Sequence, residues 1–166
     1  MLSTDAVVHE LYASPEVRDA VVERWGPEMA PDGVTDRRAV AQRAFATPED
    51  REWLEGLLWP RVGERMWAWR QEQSEREPPP RALVVEVPLL FESGMDAAFD
   101  ATVAVVADEA ARRERAGGRG HAALDERTSR QLTQEEKAAR ATYTVANSGT
   151  LADLEQALTA VLEKLT

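Results

Sequence analysis

The stretch from Leu83 to Met95 limits the fold more than any other part of the chain. Leu83-Val84-Val85-Glu86-Val87 is a run of apolar β-formers that meets Pro88, then a second apolar cluster, Leu89-Leu90-Phe91, then Glu92-Ser93-Gly94. An apolar run of this length closed by Pro and Gly predicts a strand buried on both faces, as in a parallel sheet. Pro88 has no N–H for a ladder, so pairing stops there and the chain turns out at the strand's carboxyl end. In open α/β sheets that edge is where ligands sit.

The rest of the chain extends the pattern. Thr102–Val106 reads as a second strand and Tyr143–Val145 as a short third. Between them, a helix is expected from Asp108 to about Ala116, broken by Gly117, Gly118 and Gly120, and residues 124–140 are expected to be mostly helical. Leu151, Leu154, Leu158, Leu162 and Leu165 stripe a last helix that Thr150 and Asp153 cap as a box. Strand alternating with helix predicts an α/β fold with a parallel sheet.

Ahead of this lies a helical insertion, about residues 14–77. Ser14-Pro15 is an N-cap followed by proline at the first helical position, Thr35 or Asp36 caps a second helix, and Thr47 with Asp50 fits a capping box. Trp59-Pro60 is expected to interrupt the helix carrying Trp53, Leu54, Leu57 and Leu58, with a second run from Arg61 to about Glu77 and Pro78-Pro79-Pro80 as a stiff connector. No strand is read ahead of the apolar Ala6-Val7-Val8. The whole, residues 1–166, reads as one domain whose strand-bearing part spans about 82–166.

Composition narrows the function. The chain has 166 residues, 43% hydrophobic and 30% charged, the balance of a soluble globular domain. No apolar run approaches a membrane span and no signal-peptide pattern opens the chain, which argues for a cytoplasmic protein with no membrane partner. With no cysteine and two histidines, His9 and His121, disulfides are excluded and no metal site is read from the sequence. A net charge of −10 argues against nucleic acid as a partner. Yet Arg112, Arg113, Arg115, Arg119, Arg127 and Arg130 fall within nineteen residues. In an acidic protein, such a cluster is a candidate site for a small phosphorylated ligand.

Five patches, in order, resemble the dephospho-CoA kinase family. Leu2-Ser3-Thr4-Asp5 matches its strand-end "IDAD", with Asp5 on the second aspartate, Ser3 replacing the first, and His9 where the family usually has arginine. Phe45 to Pro60 matches "F.nPe…wLe.llHP", with Trp59 in place of histidine. Val87 to Glu92 matches "VPLLfE", Arg127 to Gln131 matches the "R…Q" helix, and Asn147-Ser148-Gly149 matches the "N.G" turn. Together these cover nearly the whole chain.

The resemblance implies transfer of the γ-phosphate of ATP, with Mg2+, to the ribose 3′-hydroxyl of dephospho-CoA, the last step of coenzyme A synthesis. It implies Asp5 as the carboxylate facing that hydroxyl, and Pro88, Leu89, Leu90 and Phe91 lining the acceptor site. Arg115, Arg119 and Arg127 would belong to a phosphate-binding lid, and Asn147 and Gly149 would lie near the adenine. Each has a plainer reading: Asp5 as a helix N-cap, the leucines as core, the lid as a surface helix of paired arginines, and Asn147-Gly149 as an ordinary turn.

The family's phosphate-cradling GxxxxGK[ST] does not occur in these 166 residues. In the family it precedes "IDAD" by roughly twenty residues. The chain is therefore expected to be an incomplete copy, unable to use ATP productively, lacking a central strand and exposing apolar edges. Two other readings stand beside this one. One is a non-catalytic relative that binds coenzyme A-like ligands; the other is a helical module whose Trp53–Trp69 segment docks a partner.

Overall fold

The computed structural model describes residues 1–116 and 131–165, with backbone only for 114–116. They form two compact units, Met1–Pro88 and Leu89–Thr166.

In the first unit, β1 (Leu2–Ser3) leads directly into α1 (Thr4–Tyr12). Only the resemblance to the family's strand-end motif points to this strand, because two residues carry no periodicity of their own. Helix α2 (Pro15–Trp25) starts on Ser14, whose Oγ accepts the Val17 amide at 3.3 Å. Asp36, rather than Thr35, caps α3 (Arg37–Ala44), accepting the amides of Arg38 and Ala39. Val7 and Leu11 of α1, Val17, Val21 and Trp25 of α2, and Val40 and Ala44 of α3 bury one face each. They pack with Leu54, Leu58 and Val62 of α4 (Pro48–Ser74) into one core.

Helix α4 overturns the expected break at Trp59-Pro60: it runs 27 residues through Pro60. Proline cannot supply an amide to the Gly56 carbonyl, and its ring pushes the preceding turn open. Arg61, the next residue, donates from Nη1 to the Leu57 carbonyl at 2.6 Å and pairs through Nη2 with Glu16 of α2. Packing of Leu54, Leu58 and Val62 on both sides of the proline outweighs its local preference.

The Leu83 run forms a much shorter strand than expected. Only Val85–Glu86 (β2) pairs, parallel to β1, in the register Leu2 to Val85 and Ser3 to Glu86. It is not buried on both faces: Val84 and Glu86 are exposed while Leu83, Val85 and Val87 are half-buried. Among the described residues β2 has a ladder on one side only, so the run alternates as a half-covered strand does.

In the second unit, β3 (Val103–Val106) and β4 (Tyr143–Ala146) pair in parallel, Val103 opposite Tyr143 through Val106 opposite Ala146. A reciprocal threonine clasp sets this register. The Thr102 amide donates to Thr142 Oγ1 at 3.1 Å and the Thr142 amide to Thr102 Oγ1 at 3.0 Å. Each strand leads across a turn into a helix, β3 into α5 (Glu109–Ala116) and β4 into α7 (Leu151–Leu165). Of the stretch expected to be mostly helical, 124–140, residues 124–130 lie outside the described residues, 131–133 are not helical and α6 spans Gln134–Arg140. Thr133 and Glu136 stop it with a complete capping box, a Thr-x-x-Glu signal present in the sequence. On β3, Val103 and Val105 are exposed.

Candidate functional site

In the first unit the chemistry gathers at the carboxyl edge of the β1–β2 pair. Asp5 lies in the first turn of α1, right after β1 ends, and is exposed. It is not the N-cap: Ser3 holds that position, with no side-chain cap bond. Asp5 is thus an acceptor-only carboxylate at a helix N-terminus, where the helix dipole favours negative charge. Beside it, buried Thr4 donates from Oγ1 to the Glu86 carbonyl at 3.1 Å, fastening the start of α1 to the end of β2. Pro88 follows two residues after β2 and is exposed in the turn. Strand pairing therefore brings Asp5 and Pro88, 83 residues apart in sequence, to one sheet edge.

One helical turn beyond Asp5, on the same face of α1, His9 bonds through Nδ1 to Nη1 of Arg37, the first residue of α3. Sequence reasoning missed this pair, because contacts between helices leave no local signal. Deeper in the unit, Asp50 does not complete the box expected with Thr47. Thr47 Oγ1 does accept the Asp50 amide at 3.1 Å, but the carboxylate turns to Trp25 Nε1 (3.0 Å) and Arg24 (3.3 Å). The hydrogen bond from Trp25, with those from Arg24 and Thr47, outweighs partial burial and holds the Asp50 carboxyl below the ordinary aspartate range. Trp53 meets Trp25 edge-on at 4.9 Å, so it is a packing residue. Trp59 and Trp67 are exposed.

In the second unit, the "VPLLfE" continuation divides. Leu89 is exposed and Leu90 half-buried, whereas Phe91 is buried beneath the Arg140 guanidinium, 5.0 Å above its ring. Glu92 anchors the chain after the arginine-rich segment. Its Oε1 accepts the Leu132 amide at 3.0 Å and Lys137 Nζ at 2.9 Å. Burial pushes the Glu92 carboxyl up, but the Lys137 ammonium and the backbone amides of Glu92 and Leu132 outweigh it and leave the group lowered.

At the carboxyl edge of β3 and β4, Gln134 clamps Ala107 with both amide atoms, accepting its N–H at 2.8 Å and donating to its carbonyl at 3.0 Å. Ser148 Oγ accepts the Asp108 amide at 2.8 Å, and the Asn147 amide donates to the Val106 carbonyl at 2.7 Å. Gly149 has a steric reason to be glycine. A Cβ there would lie 2.6 Å from Asp153 Oδ2, which the Thr150 amide and hydroxyl already hold. The same bonds, the hydroxyl's first, hold the Asp153 carboxyl down.

The arginine cluster is only partly described. Arg115 lies on α5 by its backbone, while Arg119 and Arg127 lie outside the described residues. Arg112 and Arg113 both pair with Glu109. Among the described residues no three His, Asp or Glu side chains converge as a metal site, and no helix is long and apolar enough to cross a membrane.

Short parallel strands, each giving way at its carboxyl end to a helix or turn, with a carboxylate and a proline turn at one such edge, define the class: an α/β protein of the P-loop kinase fold. Comparisons narrow it. The family model described as dephospho-CoA kinase matches residues 1–153. A dephospho-CoA kinase of Thermus thermophilus is 36% identical over 154 residues, covering 91% of this chain and 73% of that protein. One from Deinococcus radiodurans is 36% identical over 168 residues, covering 99% and 80%. The crystal structure of TT1252 from Thermus thermophilus superposes with a TM-score of 0.77 at 34% identity, over 99% of this chain and 84% of that one. The dephospho-CoA kinase from Campylobacter jejuni shares the fold, with a TM-score of 0.68 at 20% identity, over 99% and 83%. The chain belongs to the dephospho-CoA kinase family.

Proposed function

We propose that Asp5 is the carboxylate that faces the ribose 3′-hydroxyl of dephospho-CoA in an ATP-dependent phosphoryl transfer. The observation that carries this reading is the position of Asp5: exposed, uncapped, and at the carboxyl edge that Pro88 also reaches. Asp5 orients the hydroxyl and takes its proton as the 3′-oxygen bonds the γ-phosphorus. The bond to the bridging oxygen breaks and ADP leaves. Pro88, Leu89 and Leu90 supply apolar contact to the acceptor; Phe91, being buried, supports its neighbours instead.

On the donor side, the proposal gives Arg115, Arg119 and Arg127 the phosphate oxygens, and Asn147 with Gly149 the adenine-side turn. Mg2+ would be carried by the nucleotide's phosphates, because the described residues offer no ligand set of their own. These 166 residues contain no GxxxxGK[ST] cradle for those phosphates. The proposed setting for this reaction is the cytoplasm.

The test is ADP release with ATP, Mg2+ and dephospho-CoA. It compares this chain with a version extended at its amino end by a strand and phosphate-binding loop from a relative. Turnover is expected only in the extended version, and Asp5→Asn there should lower kcat by about 10²–10⁴-fold. Losing a charge from an exposed first turn costs only about 0.3–1 kcal/mol, so the fold remains. A wild-type rate in that variant would reduce Asp5 to a helix-dipole residue.

A further inference from the structure

We infer that Arg37, held by His9, forms an anion-binding subsite for the diphosphate of the acceptor substrate. This inference rests on the reading of Asp5 given above. Arg37 opens α3, and its Nη1 bonds His9 Nδ1 on α1. The guanidinium nitrogen can only donate, and the group that holds Arg37 is a ring nitrogen and not a carboxylate. Several arginines do pair with carboxylates, as at Arg24–Asp50, Arg61–Glu16, Arg112–Glu109 and Arg140–Asp96, whereas the partner that orients Arg37 is an imidazole. Arg37 makes no such ion pair among the described residues, and the neighbouring Asp36 carboxylate is engaged by the amides of Arg38 and Ala39. In a protein of net charge −10, a guanidinium left without a carboxylate and fixed in direction by an imidazole is arranged for an anion from outside.

Placement identifies the anion. His9 is four residues after Asp5, so the two side chains are neighbours on one exposed face of α1, about 5–6 Å apart at Cβ. A ribose whose 3′-hydroxyl meets Asp5 presents its 5′-diphosphate at the other end of the same ring, a span comparable to one helical turn. The remaining N–H groups of Arg37 form a planar fork suited to two phosphate oxygens. His9 orients the fork; Arg37 makes the contact.

Calorimetric titration of dephospho-CoA into the chain tests this, with thermal midpoints as the control for folding. Arg37→Gln should weaken binding by about 10–100-fold, the loss of one charge-assisted contact, and should flatten the salt dependence of Kd. Arg37→Lys should recover only part of it, because the ammonium lacks the fork. His9→Ala should weaken binding less, and not at all when Arg37 is already Gln. If wild type binds and Arg37→Gln binds equally well at every salt concentration, the subsite is refuted while the Asp5 reading stands. If wild type binds no dephospho-CoA, both fall.

Discussion

Replacing Glu92 by Gln should reveal how the strand-end motif is tied to α6. Glu92 Oε1 takes two donors, the Leu132 amide at 3.0 Å and the Lys137 ammonium at 2.9 Å, and the pair is only 15% and 24% exposed. Its other oxygen, Oε2, is buried with no hydrogen-bond partner among the described residues. Glutamine keeps an acceptor for Leu132 but removes the charge facing Lys137. A charge-assisted bond is worth about 1.5–3 kcal/mol, and the solvent that still reaches Lys137 reduces this to about 1–2 kcal/mol. At roughly 2–4 °C per kcal/mol for a chain of this size, the melting midpoint should fall by about 2–8 °C. Urea unfolding of Glu92→Gln, Lys137→Met and the double variant isolates the pair, and a coupling of about 1 kcal/mol is expected.

The pH profile adds a second check. The folded-state carboxyl of Glu92 is lowered, so its stabilisation is complete above the ordinary glutamate value, about 4.3, and is lost as pH falls through the depressed one. Glu92→Gln should therefore lose part of the wild type's acid sensitivity. A coupling below about 0.3 kcal/mol with an unchanged acid limb would refute the reasoning, reducing the pair to a surface contact.

Other outcomes follow from the same kind of geometry. Thr102→Val removes one half of the threonine clasp and leaves the Thr142 amide without its acceptor, which should cost about 1–3 kcal/mol by denaturant unfolding. A cost near zero would mean the strand pair keeps its register without the clasp. Gly149→Ala should displace Asp153 from Thr150 and loosen the start of α7, costing about 1 kcal/mol; a neutral result would show that the carboxylate can swing aside without loss. Arg37→Gln should weaken dephospho-CoA binding without lowering the melting midpoint, and an unchanged Kd would remove Arg37 from the acceptor site.

The sequence alone determined the features that one element decides for itself. Ser14-Pro15, Thr47-Pro48 and Thr150-Asp153 cap helices because each side-chain oxygen reaches an amide three residues away, and those caps were legible as strings. So were Val103–Val106, Tyr143–Ala146 and the leucine-striped last helix. The family motifs around Asp5, Pro88 and Asn147 also lay in the string, which is why the family could be read before any coordinate was known.

Tertiary structure decided what depends on partners distant in sequence. Pro60 stays inside α4 because Leu54, Leu58 and Val62 are packed on either side of it. The Leu83 run shrinks to two paired residues with a bare face because burial of a strand depends on its neighbours, not on its own apolarity. Glu92 meets Lys137 across 45 residues, and Arg37 meets His9 across 28. Interactions of that range carry no periodicity, so only the folded chain could disclose them.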